Sequence, residues 1–96
     1  MKLLGIDVGT SGTRAVLLDS DGRVLGSATA AHPAFTSPHP GWAEQNPDDW
    51  WAAVCSAILE CLARGNTAAS EISGVALTGQ MHGLVLLDRD GRVLRP

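Results

Sequence analysis

The sequence predicts an α/β domain, a mixed sheet of about five strands covered by one main helix. Three observations predict it. Short apolar runs separated by small-residue or Asp-Gly turns open the chain, a long stretch of helical periodicity follows a Pro-rich loop, and another apolar run comes soon after that helix. Strand, helix and strand in that order make a right-handed crossover, so the last of these runs joins the sheet parallel to the first. Its 96 residues suffice for one small domain.

Leu3, Leu4, Ile6 and Val8 supply a short buried strand, and Gly9 and Gly12 bracket a turn in which glycine allows backbone angles closed to other residues. Thr13 to Leu18 forms the return strand. Asp19-Ser20-Asp21-Gly22 then closes a second hairpin into Val24 to Ala30, completing an antiparallel meander. The segment L-L-D-S-D-G-R-V-L (Leu17 to Leu25) returns as L-L-D-R-D-G-R-V-L (Leu86 to Leu94) while its neighbours do not repeat. This is one hairpin solution used twice, and its Gly comes too early for a calcium loop of EF-hand type.

Ala31 to Gly41 holds Pro33, Pro38, Pro40 and Gly41 and is a loop. His32 and His39 lie in it without a Cys or carboxylate at ligand spacing nearby, so both read as solvated loop histidines. Asn46 is a good N-cap, Pro47 suits the first helical position, and Asp48 and Asp49 place negative charge on the positive end of the helix dipole. Trp51, Val54, Cys55, Ile58, Cys61 and Leu62 recur at helical spacing as the buried face, with the paired Trp50 and Trp51 in packing roles, and Gly65 ends the helix. Asn66 to Glu71 is a polar connection and Ile72 to Thr78 the parallel strand. Gly79-Gln80-Met81-His82-Gly83 follows as a loop at that strand's carboxyl end, the edge where open α/β sheets present ligand-binding groups.

A net charge of −3 with Lys2 as the only lysine argues against a nucleic-acid surface. Met1 to Ile6 is too short for a signal peptide, and no apolar run reaches the roughly 18 residues of a membrane span, so the cytoplasm is the expected compartment. Cys55 and Cys61 fall about 9 Å apart along the helix axis, too far for a disulfide, as suits a reducing environment.

The segment with the most chemistry is D-V-G-T-S-G-T-R, Asp7 to Arg14. Small residues at a hairpin tip leave main-chain N–H groups and hydroxyls uncovered, and the adjacent Asp7 carboxylate favours a phosphate carrying Mg²⁺ over a bare one. A plain tight turn satisfies the same residues, and for Arg14 so does a strand cation paired with a nearby acid. Neither G-x-x-x-x-G-K-[ST] nor G-x-G-x-x-G occurs. In Gly79 to Gly83, Gln80 and His82 offer donors and acceptors suited to a polyol, although a generic loop with Met81 tucked into the core is the alternative.

Three segments carry a resemblance. I-D-V-G-T-S-G-T-R resembles the first phosphate hairpin of the FGGY carbohydrate kinases, within the actin-like (ribonuclease H-like) ATPase superfamily. The run from Trp42 to Trp51, W-A-E-Q-N-P-D-D-W-W, resembles the segment before their first helix, and G-Q-M-H-G is similar to the sugar-contacting loop of the xylulokinase branch. The resemblance implies an ATP- and Mg²⁺-dependent kinase that phosphorylates a pentulose, D-xylulose being the sugar it favours. By the same resemblance Asp7 is catalytic and at the metal, directly or through water. Thr10, Ser11, Gly12 and Arg14 contact the nucleotide phosphates, and Gln80, Met81 and His82 contact the sugar. Residues 1–96 would be part of the first of two lobes, inactive alone, partnered by the missing lobe of the same kinase and compatible with a homodimer of the full-length enzyme. Rival readings are an FGGY kinase for ribulose or glycerol and a non-catalytic actin-like nucleotide-binding or regulatory domain.

Overall fold

The computed structural model describes residues 1–96 throughout. Strands β1 (Lys2–Val8), β2 (Gly12–Asp19) and β3 (Val24–Ala31) form the antiparallel meander. Helix α1 (Pro47–Arg64) and a single 3-10 turn (Ala69–Glu71) lead into β4 (Ile72–Gly79), which lies parallel to β1. The sheet therefore has four strands in the order β3-β2-β1-β4. Strands β5 (Leu86–Leu87) and β6 (Val93–Arg95) pair only with each other in a separate ribbon, so the main sheet holds one strand fewer than the sequence predicts. At two and three residues they offer too few ladder bonds to extend a sheet.

The repeated hairpin is the same turn both times. Asp19 Oδ1 accepts from the amides of Asp21 and Arg23, each at 2.9 Å, with Gly22 at φ 81°. Asp88 Oδ1 accepts from Asp90 and Arg92 at the same 2.9 Å, with Gly91 at φ 80°. Both aspartates spend an oxygen on backbone amides, which explains why Asp is required at the first position of each turn. The ribbon is fastened to the loop before α1, where Arg95 pairs with Glu44 at 2.6 Å and stands 4.9 Å over the Trp42 ring.

Helix α1 begins as the sequence predicts: the Asn46 side chain accepts from the Asp48 amide at 3.0 Å and Pro47 opens the first turn. Its buried stripe, however, is Ala53, Ala57 and Cys61, with Val54, Ile58 and Leu62 beside it, against Leu4, Ile6, Ala15, Leu17 and Ala28. Trp51 is 70% exposed and Cys55 half-buried. The helix is rotated relative to the large-residue stripe because small side chains allow the closest approach to the sheet. At the contact, a Cβ on Gly26 would lie 2.8 Å from the Cys61 carbonyl oxygen, and one on Gly65 would lie 2.6 Å from Leu17 Cδ2. Gly65 is thus a space requirement. The left-handed residue that ends the helix is Asn66, at φ 47°, in a Schellman pattern whose Thr67 amide donates to the Leu62 carbonyl at 3.0 Å.

Burial pushes the Cys61 thiol up from its ordinary pKa, partly offset by a backbone hydrogen bond and by Arg64. Lys2 ties β1 to the segment before β4, donating to Thr67 Oγ1 at 2.9 Å and Glu71 Oε1 at 3.2 Å. The Ala68 amide first, and Lys2 second, hold the Glu71 carboxyl below the usual carboxylate range. No helix is long and apolar enough to cross a membrane.

Candidate functional site

The β1–β2 ladder pairs Val8 with Thr13, which leaves Gly9 to Gly12 as the hairpin tip. The Gly9 amide donates to the Gly12 carbonyl at 2.9 Å, while the amides of the exposed Thr10 and Ser11 make no hydrogen bond within the chain. Those two N–H groups are the ones free for an anion. Neither Gly9 nor Gly12 has a positive φ, contrary to the sequence-based expectation. Their need is for space, since a Cβ on Gly12 would lie 2.9 Å from the Ala30 carbonyl oxygen and one on Gly9 3.1 Å from that of Gly12.

His32 is not a solvated loop residue. It is 9% exposed, and its Nε2 lies 2.8 Å from the hydroxyl of the fully buried Thr13. The cause is backbone: β3 continues to Ala31, and the next amide donates to the Ser11 carbonyl at 2.9 Å, so the ring is drawn beneath the tip. His32 Nδ1 is buried without a partner. His39 does lie in the exposed loop, edge-on to Trp42 at 4.5 Å.

Asp7 stands opposite Arg14 on β2 and Thr78 on β4. With Gly5, Val16 and Ala76 these residues line an open cleft of about 290 Å³ on the face of the sheet away from α1. Both Asp7 and Arg14 are exposed and neither belongs to an ion pair, the three pairs being Lys2–Glu71, Arg64–Glu60 and Arg95–Glu44. The strand-pair explanation of Arg14 therefore has no bond to rest on. An unpaired, exposed carboxylate fits the usual Mg²⁺ arrangement, in which one or two protein carboxylates act together with waters and substrate phosphates. No cluster of three or more His, Cys, Asp or Glu able to hold a metal by itself occurs.

Gln80 to Gly83 continues from β4, its first amide donating to the Val8 carbonyl at 2.9 Å. His82 adopts φ 63°, a left-handed conformation that costs a non-glycine residue about 1–2 kcal/mol. Met81 is 82% exposed instead of tucked into the core. Gln80, Met81 and His82 line a cleft of about 450 Å³ with Thr10, Gln45 and Trp50. Gln45 bridges its walls, donating from Nε2 to the Thr10 carbonyl at 2.8 Å and accepting at Oε1 from Trp50 Nε1 at 3.1 Å. Gln45 lies in the W-A-E-Q-N-P run, whose resemblance to the family marks the segment before the helix but assigns Gln45 no role.

The structure thus brings Thr10 together with Gln80, Met81 and His82, places Asp7 and Arg14 on the other face of the sheet, and leaves Ser11 and Gly12 at the tip between them. An antiparallel meander extended by a parallel strand, with one packed helix and a small-residue tip at the ligand edge, defines the α/β N-terminal lobe of an actin-like ATPase. The chain belongs to the FGGY family of carbohydrate kinases: residues 2–96 match that family's N-terminal domain. It is 40% identical over 93 residues to a xylulose kinase of Bacillus subtilis (strain 168), covering 97% of this chain and 18% of that one. A glycerol kinase of the same strain is 33% identical over 88 residues, covering 92% and 18%. The crystal structure of a xyloylose kinase from Brucella ovis superposes with a TM-score of 0.93 at 44% identity, over 100% of this chain and 20% of that one. The chain spans about a fifth of the length of these relatives.

Proposed function

We propose that residues 1–96 form part of the first lobe of a longer, cytoplasmic ATP-dependent sugar kinase that phosphorylates a pentulose, D-xylulose being the preferred sugar. The observation that carries this reading is the meeting of Thr10 at the hairpin tip with Gln80 at the start of the G-Q-M-H-G loop, 3.1 Å apart. Phosphoryl transfer needs the phosphate end and the acceptor end of a site held side by side, because catalysis rests on positioning and charge stabilisation. In this reading the Thr10 and Ser11 amides and the close backbone at Gly12 hold the phosphates, with Arg14 beside them. Asp7, which opens on the other face of the sheet from the sugar cleft, would help to hold Mg²⁺ together with waters and the phosphates, and the ion would supply charge neutralisation there. Gln80 and His82 hydrogen-bond the sugar hydroxyls, and Met81 forms an apolar wall. The general base and adenosine pocket would come from sequence outside these residues.

The second reading is a kinase for another sugar or polyol, glycerol or ribulose, and the glycerol kinase match supports it for glycerol. An ADP-release assay of the full-length polypeptide with xylulose, ribulose and glycerol separates the two, and residues 1–96 alone should be inactive with all three. His82→Ala should raise the KM for xylulose at least about tenfold, the equivalent of roughly 1.4 kcal/mol, and leave that for ATP within about twofold. A xylulose constant that does not move, or an ATP constant that moves instead, removes this loop from sugar recognition.

A further inference from the structure

Gln45 sits where three separate parts of the fold meet. Its Nε2 donates to the Thr10 carbonyl at 2.8 Å, and its Oε1 accepts from Trp50 Nε1 at 3.1 Å and from Gln80 Nε2 at 3.3 Å. Thr10 Oγ1 donates in turn to Gln80 Oε1 at 3.1 Å, which closes a three-residue ring between the hairpin tip, the loop after β4 and the residue before the N-cap of α1. The direction of these bonds is forced. An indole N–H can only donate, so the Gln45 oxygen must face Trp50, and its nitrogen must then face the Thr10 carbonyl. With the oxygen fixed, Gln80 must present its own nitrogen to Gln45, which leaves the Gln80 oxygen for the Thr10 hydroxyl. A single rigid donor on α1 thereby sets the orientation of both loops.

The supports differ in stiffness. Gln45 is half-buried next to a capped helix start, whereas Thr10 and Gln80 are exposed at strand ends. We infer that Gln45 is a positioning residue that couples the nucleotide end of the site to the sugar end, so that a ligand ordering either loop tightens binding at the other. This rests on the kinase reading above. Coupling between two sites is reciprocal, so one factor describes both directions, and such factors are typically about 5- to 150-fold. A merely structural Gln45 would weaken each ligand by its own amount and leave that factor alone.

The test uses the full-length polypeptide and isothermal titration of xylulose with and without Mg²⁺ and a non-hydrolysable ATP analogue. Wild type should bind the sugar at least about fivefold more tightly with the analogue present. Gln45→Met, close in volume but unable to make any of these bonds, should reduce that factor to within about twofold of unity. Gln45→Glu preserves both acceptor bonds and turns a carboxylate oxygen toward the Thr10 carbonyl. It should also lose the coupling, and it serves if the methionine variant does not fold. A wild-type factor near unity, or a factor retained in whichever variant folds, overturns the inference while leaving the kinase reading intact. A wild type that binds neither ligand overturns the kinase reading, and the inference with it.

Discussion

Replacing Thr13 by Val should destabilise the hairpin tip without altering its shape. Thr13 is fully buried, its hydroxyl lies 2.8 Å from His32 Nε2, and Nδ1 of the same ring already lacks a partner. Either neutral tautomer leaves Nδ1 unmatched, so this hydrogen bond is the ring's one polar side-chain contact. Valine matches threonine in outline but strands the second ring nitrogen in a 9% exposed position. Leaving a buried polar group unsatisfied costs about 1–3 kcal/mol, whereas replacing both partners by apolar groups of similar shape is close to neutral. Thr13→Val should therefore lose roughly 1–3 kcal/mol, and the double variant Thr13→Val/His32→Leu should recover most of it. Urea unfolding followed by tryptophan fluorescence measures both, as a lower midpoint at unchanged slope. A single variant within about 0.5 kcal/mol of wild type, or a double variant less stable than the single, would refute the argument that this buried pair anchors the tip.

On the proposed kinase reading, Asp7→Asn in the full-length polypeptide should cut turnover strongly while leaving the sugar KM nearly unchanged, because the lost charge would belong to the metal and phosphoryl end of the site; steady-state kinetics with both substrates varied would remove Asp7 from the mechanism if turnover survived. The Glu71 carboxyl is held below its ordinary 4.5 by the Ala68 amide and Lys2, so its contribution to stability is present above that value and lost as the pH falls through the lowered folded value. Glu71→Gln should flatten the stability–pH curve in that acid window. A curve with undiminished slope there would mean that other carboxylates carry the acid sensitivity.

The elements legible in the sequence were those announced by local chemistry. The meander follows from Asp19 and Gly22, whose turn needs an acceptor for two amides and a positive φ, and the helix start follows from Asn46 and Pro47. The resemblance pointed to the residues of the tip and of the Gln80 loop as site candidates. The rule that ligands gather at the carboxyl ends of parallel strands placed them together, and the Thr10–Gln80 contact agrees. What escaped depended on distant packing. The helical spacing of the larger apolar residues puts Trp51 inside, but Gly26 and Gly65 let the helix approach along its alanine stripe, and neither glycine signals that contact locally. His32 reads as solvated because it falls in a breaker-rich loop with no ligand-spaced Cys or carboxylate, while its partners, the Thr13 hydroxyl and the Ser11 carbonyl, are far back along the chain. Gln45 has one local partner, Trp50, but the two loops it bonds lie 35 positions away on either side.

Within residues 1–96 the two ends of the proposed site are supported unequally, and this bears on how it would work. Helix α1 packs on β2 and β3, so the β3 side of the tip rests on the core through the His32 amide and the buried Thr13 hydroxyl. Within residues 1–96, α1 does not extend over the other side in the same way: Val75 and Leu77, which pair with Leu4 and Ile6 across the ladder, are 58% and 75% exposed. The loop that β4 carries is held by one backbone bond to Val8 and by exposed amide contacts to Thr10 and Gln45. Hydrogen bonds of this kind contribute only about 0.5–1.5 kcal/mol each, and the left-handed His82 opposes them with a cost of similar size. A phosphate-binding tip must be preformed, because its amides stabilise charge only when already aimed. A loop that encloses a sugar must be able to rearrange as the sugar arrives. On the proposed reading the stiff anchor lies beneath the tip and the weak one at the Gln80 loop, and Gln45 would be the link through which rearrangement of the second reaches the first.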